Sequence, residues 1–171
     1  MAEVQNYRMV DPDWAVAEIE RRTGHVFFRR ELALMAITHS SGANHRDCSN
    51  ERLEFLGDAI LGFIIAEMLH RRDPRGAEGD KTRIRARLVS TPTLVAIGRS
   101  FDLGSLVLMT SGEEKNDGRT QEKVQEDAVE ALIAARRHIR RRKLTRFYEA
   151  RLRKAIAAPT PAGTRSSGIS A

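Results

Sequence analysis

Three acidic residues with helical spacing stand in the most apolar stretch of this chain. Glu51, Glu54 and Asp58 belong to the segment NERLEFLGDAIL, residues 50–61. On a helix that turns about 100° per residue, they fall within an arc of roughly 60°. Apolar residues occupy nearly all other positions up to Leu69, which is typical of a buried helix. Buried acids must be neutralised, paired or bound to a cation. Of these three possibilities, a metal site explains the most about this pattern of residues.

A second acidic pair, Asp127 and Glu130, follows later in the chain beside an apolar helical stripe. The two segments together offer four oxygen donors: Glu54, Asp58, Asp127 and Glu130. Such donors suit a hard divalent cation, Mg²⁺ or Mn²⁺. Neither cluster has His or Cys at ligand spacing, which argues against zinc. The alternative is that Asp127 and Glu130 are ordinary surface acids paired with Lys123 or Arg137.

The distribution of charge indicates a polyanionic partner. The net charge is +6, but residues 136–154 hold ten basic residues and a single acid, so this segment carries +9 and the rest −3. A local basic block on a mildly acidic body favours nucleic acid, and the alternative is a solvated helix face or a disordered tail. Because Mg²⁺ usually binds substrate phosphates, we expect hydrolysis of a phosphodiester or phosphoanhydride bond.

Length and composition exclude several classes of protein. A chain of 171 residues with 41% hydrophobic content can form one domain with a real core. The longest uncharged apolar run, residues 59–66, is too short to span a bilayer, and no secretory signal pattern opens the chain. The single cysteine, Cys48, fits a reducing compartment. We therefore expect a cytoplasmic protein without a membrane partner.

The hydrophobic periodicity predicts an all-α fold without a strand pair. We expect one domain over residues 1–157 and a disordered tail over 158–171, which is rich in Pro, Gly and Ser. The predicted helices cover residues 12–24, 30–38, 51–72, 81–89, 93–100 and 120–135, with a last helix ending before Pro159. A packed turn at 101–109 and a charged, turn-rich loop at 112–119 complete the pattern.

These motifs together resemble those of the ribonuclease III family. NERLEFLGDAIL resembles the family's signature helix, and EDAVEALIAA, residues 126–135, resembles its second acidic motif. AITHSSGAN at 36–44, TRIRARLVS at 82–90 and GEEKNDGR at 112–119 fall in the family's order and spacing. The resemblance covers roughly residues 25–135. It implies the helical bundle of a ribonuclease III catalytic domain, acting as a homodimer. The chain departs from the family's usual bacterial form in that we recognise no double-stranded-RNA-binding domain in it.

The resemblance also implies the roles of individual residues. Asp58 and Glu130 correspond to the acids most directly tied to catalysis. Glu51 corresponds to an acid at the edge of the site, and Phe55 to a residue that plugs the partner subunit. The metal ligands implied are Glu54, Asp58, Asp127 and Glu130. The implied reaction is Mg²⁺-dependent cleavage of double-stranded RNA to 5′-phosphate and 3′-hydroxyl ends, in the processing of rRNA, mRNA or tRNA.

Basic residues outside the acidic motifs are candidates for RNA contact. Those in the charged loop and in the basic segment are Lys115, Arg119, Arg140, Arg141, Arg142 and Lys143. The alternative is that they are only solvated. Two positions depart from the family. RRHIRRRK follows Ala135 where the family has apolar residues, which predicts an exposed or rearranged junction. Glu126 replaces a small residue, and either points away from Asp127 or adds charge to the site.

Two other functions remain open. An all-α, metal-dependent nucleotide pyrophosphohydrolase also uses paired acidic motifs on helices, although the spacing and flanking residues here favour the nuclease. A non-catalytic module on the same fold would bind double-stranded RNA after losing its catalytic acids. All four acids are present in this chain, which counts against that alternative.

Overall fold

The computed structural model describes residues 11–136, which form a bundle of α-helices. The helices are α1 (Pro12–Thr23), α2 (Arg30–Ala36), α3 (Glu51–Arg72), α4 (Glu78–Leu88), α5 (Thr91–Ser100), α6 (Ser111–Lys115) and α7 (Glu122–Ala135). Within the described range, the only extended pairing is an isolated bridge between Thr38 and Leu108. The all-α prediction is therefore confirmed. No helix in this part of the chain is long and apolar enough to cross a membrane.

Some helix boundaries follow directly from local sequence signals. The Oδ1 of Asp11 accepts a hydrogen bond from the backbone N–H of Asp13 at 3.0 Å, which caps the start of α1. Pro12 follows at the first helical position, where its missing N–H is not needed. Gly24 ends the helix with φ of +65°, a left-handed conformation that a residue without Cβ adopts at no steric cost.

Other boundaries differ from the prediction because distant backbone groups compete. α2 ends at Ala36 rather than at residue 38, since Ile37 and His39 both hydrogen-bond to Leu108. The charged loop is not wholly irregular, because Thr110 caps α6 through its side chain and a 3₁₀ turn follows at Gly118–Thr120. The predicted domain limit at 157, the tail 158–171 and all but Arg136 of the basic segment lie outside the described residues.

The last described helix, α7, is the centre of the core. Nearly every residue from Val124 to Ala135 is buried, including Leu132 and Ile133, because α7 packs against α2, α3 and α5. Each large apolar side chain buried in this way contributes about 1.5–3 kcal/mol to stability. A helix enclosed on all sides also buries whatever polar side chains it carries, which sets the environment of its two acids.

One glycine allows α3 to approach α7. A Cβ placed on Gly57 would lie 1.8 Å from the backbone oxygen of Glu130 and 2.4 Å from its carbonyl carbon. Only a residue without a side chain fits so close to a neighbouring backbone. Because Gly57 lies in the acidic segment of α3, this contact brings the two acidic motifs together.

We predict that Gly57→Ala forces α3 and α7 apart and lowers the free energy of unfolding by about 3 kcal/mol or more. The clash is with backbone, which cannot rotate away as a side chain could. Gly79→Ala is the matched control, because a Cβ on this α4 glycine meets nothing within 4 Å. It should change stability by no more than about 1 kcal/mol. Urea unfolding measures both, and wild-type stability in Gly57→Ala would contradict the close approach.

Candidate metal centre

Helix α3 carries Glu54 and Asp58 on either side of Gly57. The backbone N–H of Asn50 donates to the carbonyl of Thr38 at 2.8 Å, and this bond fixes the start of α3. The Glu54 side chain is 24% exposed, whereas Asp58 is exposed. The two acids therefore flank the point where α3 meets α7, with Glu54 more deeply placed.

Helix α7 buries both of its acids. Asp127 is only 8% exposed and Glu130 only 7%. One carboxylate oxygen from each of Glu54, Asp127 and Glu130 lies within 4.8 Å of the other two. The structure thus brings together three of the four acids proposed as ligands. Asp58 lies outside this group of three, but its charge acts on Glu130.

A lysine bridges two of these carboxylates. The Nζ of Lys123 lies 2.9 Å from Oε1 of Glu54 and 2.6 Å from Oδ1 of Asp127. The Lys123 side chain is 65% exposed, so the ammonium covers the cluster from the solvent side. The alternative pairing of Asp127 with Lys123 is therefore present together with the cluster, not in place of it. Arg137, the other partner considered, lies outside the described residues.

The site holds more negative charge than its lysine balances. Burial, and then the charges of nearby carboxylates, first that of Asp58, raise the pKa of Glu130 from 4.5 to about 7. Burial also raises the pKa of Asp127 from 3.8 to about 6, although the neighbouring ammonium of Lys123 acts in the opposite direction. Burial disfavours the charged ammonium of Lys123, but its hydrogen bonds to Asp127 and Glu54 outweigh burial and raise its pKa.

The residues present fit a hard divalent cation. The cluster offers carboxylate oxygens, two of its acids are buried, and a positively charged group already lies between two of them. Mg²⁺ and Mn²⁺ prefer oxygen ligands, whereas zinc sites are built largely from His and Cys. A divalent cation would stabilise the ionised forms of Asp127 and Glu130, which burial and then neighbouring negative charge disfavour.

The remaining predicted residues on α3 lie beside the cluster. Oε2 of Glu51 accepts a hydrogen bond from Nε of Arg46 at 3.1 Å, and the Glu51 side chain is 40% exposed. Phe55 is 81% exposed, which is unusual for a phenylalanine on a core helix. An open depression of about 400 Å³ is lined by Arg46, Asp47, Glu51, Arg52 and Phe55.

The two basic residues of the charged loop have different environments. Arg119 donates through Nε to Glu114 at 2.8 Å, and its Nη1 donates to three backbone carbonyls, those of Gly104, Ser105 and Val107. These bonds tie a 3₁₀ turn at Leu103–Leu106 to the one at Gly118–Thr120, so the guanidinium has a structural role. Lys115 is exposed at the end of α6. The candidates at 140–143 lie outside the described residues.

A further acid of α7, Glu126, acts on the site. Glu126 accepts a hydrogen bond from Oγ1 of Thr91 at 2.9 Å, which ties it to α5. Its charge nevertheless raises the pKa of both Asp127 and Glu130. Both alternatives considered for Glu126 thus hold in part.

The contact between Lys123 and Glu54 was not predicted, because the sequence shows only the spacing of Lys123 to Asp127.

Comparison with known proteins places these motifs in a family context. A profile described as Ribonuclease-III-like matches residues 29–140. The chain is 49% identical to Ribonuclease 3 of Azotobacter vinelandii over 117 residues, which cover 68% of the chain and 50% of that relative. It is 47% identical to Ribonuclease 3 of Pseudomonas fluorescens over 121 residues, or 71% of the chain and 52% of the relative. The chain spans about half the length of these curated relatives.

Solved structures show the same fold. The nuclease domain of ribonuclease III from Campylobacter jejuni matches with a TM-score of 0.76 and 30% identity, over 89% of this chain and 100% of that one. A second structure of that domain, concerned with flexibility in a region involved in dimer formation, matches with a TM-score of 0.75 and 32% identity, over 81% and 96%. The predicted helical bundle is confirmed.

The raised pKa of Glu130 makes the folded, metal-free protein less stable as pH rises. The folded-state pKa of Glu130 is about 7 against an ordinary 4.5, so the unfolded chain loses this proton first. Below about pH 4.5 both states hold the proton, and between about 4.5 and 7 the Glu130 contribution to the free energy of unfolding falls.

We therefore predict that Glu130→Gln stabilises the metal-free protein at pH 8, by about 1 kcal/mol once solvent screening is allowed for. The gain should shrink toward pH 4, where the carboxyl is protonated in the folded wild type. Urea unfolding with EDTA across this pH range measures it. Equal stability of the two proteins at pH 8 would mean that Glu130 does not lie buried against negative charge.

Proposed function

Because the chain belongs to the ribonuclease III family, we propose that it is a Mg²⁺-dependent endoribonuclease that cleaves double-stranded RNA. The observation that carries this proposal is the convergence of Glu54, Asp127 and Glu130 from the two acidic motifs. The proposed products carry 5′-phosphate and 3′-hydroxyl ends, and the proposed cellular role is the processing of rRNA, mRNA or tRNA.

The four acids divide the proposed chemistry between them. Glu54 and Asp127, which already share the Lys123 ammonium, would be ligands of the metal together with Glu130. When bound, Mg²⁺ or Mn²⁺ would activate a water and stabilise the leaving 3′ oxygen of an in-line displacement at phosphorus. Asp58, which is exposed and whose charge acts on Glu130, would be the fourth ligand. Glu130 must lose its proton before it can bind a cation.

Cleavage of both strands calls for a second site, and α3 offers a surface for a homodimer. Phe55, Ala59 and Phe63 are exposed at four-residue spacing, which places them along one stripe of the helix. A C₂ dimer through this stripe would place two acidic sites on one assembly, each cutting one strand. The similar nuclease domain from Campylobacter jejuni has a region involved in dimer formation, which supports a dimer for this chain as well.

The RNA itself would be held mainly by charge and shape. Duplex RNA is recognised largely through phosphates and 2′-hydroxyls, without reading the sequence. We propose Lys115 and the four basic residues at 140–143 as phosphate contacts, and Glu51 as an acid at the edge of the site. Arg119 is omitted because backbone carbonyls occupy its guanidinium. We place the protein in the cytoplasm, since its single cysteine, Cys48, is exposed and free.

We predict that Asp58→Asn or Glu130→Gln lowers the rate of duplex cleavage by about a thousandfold, because the metal supplies several kcal/mol of transition-state stabilisation. Binding of RNA, measured by gel shift in EDTA, should be nearly unchanged. Glu67→Gln is the control, as Glu67 lies on the same helix but pairs with Arg71 at 2.9 Å.

The assay compares duplex RNA, single-stranded RNA and free nucleoside triphosphates, with Mg²⁺ present and then chelated. Only duplex RNA with Mg²⁺ should be cut. Hydrolysis of nucleoside triphosphates instead would favour a pyrophosphohydrolase. Binding of duplex RNA without any cleavage would favour a non-catalytic module.

We predict that Phe55→Ala raises the dissociation constant of the dimer by about tenfold or more, because a buried aromatic anchor carries much of an interface's energy. Phe28→Ala is the control, since Phe28 is 86% exposed but lies between α1 and α2. Sedimentation equilibrium measures both. A wild-type protein that stays monomeric, or a Phe55→Ala protein that dimerises normally, would contradict the proposed interface.

A further inference from the structure

Lys123 occupies a position where helix physics disfavours a cation. It is the second residue of α7, which begins at Glu122. The first turn of a helix is the positive end of its dipole, so a positive side chain there is unfavourable. Its partner Asp127 lies four residues later, and a lysine preceding an acid at this spacing is the weaker of the two orientations. Local helix preferences therefore do not account for this lysine.

Contacts across the two helices do account for it. The ammonium joins Glu54 of α3 to Asp127 of α7 at 2.9 Å and 2.6 Å. The two carboxylates are only 24% and 12% exposed, so solvent screens this interaction less than it screens a surface ion pair. Lys123 thus holds two like-charged groups together at the junction of the two acidic motifs.

A divalent cation would need the same oxygens. Glu54 and Asp127 are two of the three residues whose oxygens converge, and both are engaged by the ammonium. A protonated lysine has no lone pair and cannot join a metal's ligand shell. Two positive charges sharing these carboxylates would also repel each other. The ammonium and the metal therefore compete.

We propose that Lys123 is a displaceable counter-ion of the metal site. It stabilises the cation-free arrangement of Glu54 and Asp127, and it must release at least one of them when a divalent ion binds. Lys123 thereby weakens the affinity of the site for that ion. This inference rests on the proposed function, because it assumes that the acidic cluster binds a divalent cation.

The proposal requires two opposite effects from one residue. Without a cation, loss of the ammonium leaves Glu54 and Asp127 to repel each other, so the fold is destabilised. With a cation, the same loss removes a competitor, so binding is tighter. A lysine that served only the fold would produce the first effect without the second, which makes the affinity the decisive readout.

The test uses Mn²⁺ as the probe, with free Mn²⁺ measured by electron paramagnetic resonance. Lys123→Met keeps an unbranched side chain and a good helix former while removing the charge. It should bind Mn²⁺ about tenfold more tightly than wild type, a modest factor because the lysine is mostly exposed. Lys123→Arg keeps the charge, and Lys81→Met removes one from α4, so both should stay within about twofold of wild type.

Thermal unfolding supplies the second readout. In EDTA, Lys123→Met should melt below wild type, and saturating Mn²⁺ should close or reverse the difference. If Lys123→Met does not fold without a cation, Lys123→Gln replaces it, because the amide keeps a hydrogen-bond donor without the charge.

The possible outcomes distinguish failure of the counter-ion role from failure of the proposed function. Equal or weaker Mn²⁺ binding by the uncharged variants, while wild type binds through the cluster, overturns the counter-ion role alone. Wild-type binding of Mn²⁺ that survives Asp127→Asn unchanged, or no binding by wild type at all, overturns the metal site and the proposed function with it.

Discussion

The closeness of two helices governs the rest of this structure. Gly57 lets α3 approach until its backbone lies against the carbonyl of Glu130, and the acids of both helices must then share one small volume. Their burial follows from the position of α7 within the core. Their raised pKa values follow from that burial and from their mutual repulsion. A larger residue at position 57 would relieve the repulsion only by separating the site.

The proposed metal site therefore lowers the stability of the fold when no cation is bound. Two buried carboxylates near other negative charges are unfavourable in the folded state, and this cost persists until a positive charge arrives. Lys123 supplies one such charge at the solvent side, yet the pKa of Asp127 still reaches about 6. Binding of a divalent ion would offset the remaining cost, which couples the stability of the fold to occupancy of the site.

The sequence predicts those features that depend on local spacing and on caps. Asp11 and Gly24 mark the ends of α1, and the periodicity of the acidic motifs predicts both acidic helices. The expectation that the first of them is buried on nearly all sides is wrong, because α3 exposes Phe55, Ala59 and Phe63 along one stripe, whereas α7 is enclosed. The presence of a helix was thus easier to predict than the residue at which it ends. α2 stops early because Leu108, far along the chain, offers its backbone to Ile37 and His39. No local sequence pattern around α2 indicates this competition from a distant backbone.

Side-chain contacts between distant elements were the least predictable part of the site. The sequence predicts Arg119 to be a basic residue of the charged loop that could contact RNA. In the structure its guanidinium instead donates to backbone carbonyls of a preceding turn. Lys123 likewise shows its spacing to Asp127 in the sequence, whereas its contact with Glu54 depends on how α3 and α7 pack. Such contacts arise only once the helices are assembled.

Locating a bound ion tests the metal site most directly. Crystals grown with Mn²⁺ give an anomalous signal that identifies the metal independently of the protein atoms. We expect a peak among the carboxylates of Glu54, Asp127 and Glu130, with the Lys123 ammonium withdrawn from at least one partner. An empty cluster that keeps both lysine contacts, with Mn²⁺ bound elsewhere, would contradict the proposed metal site.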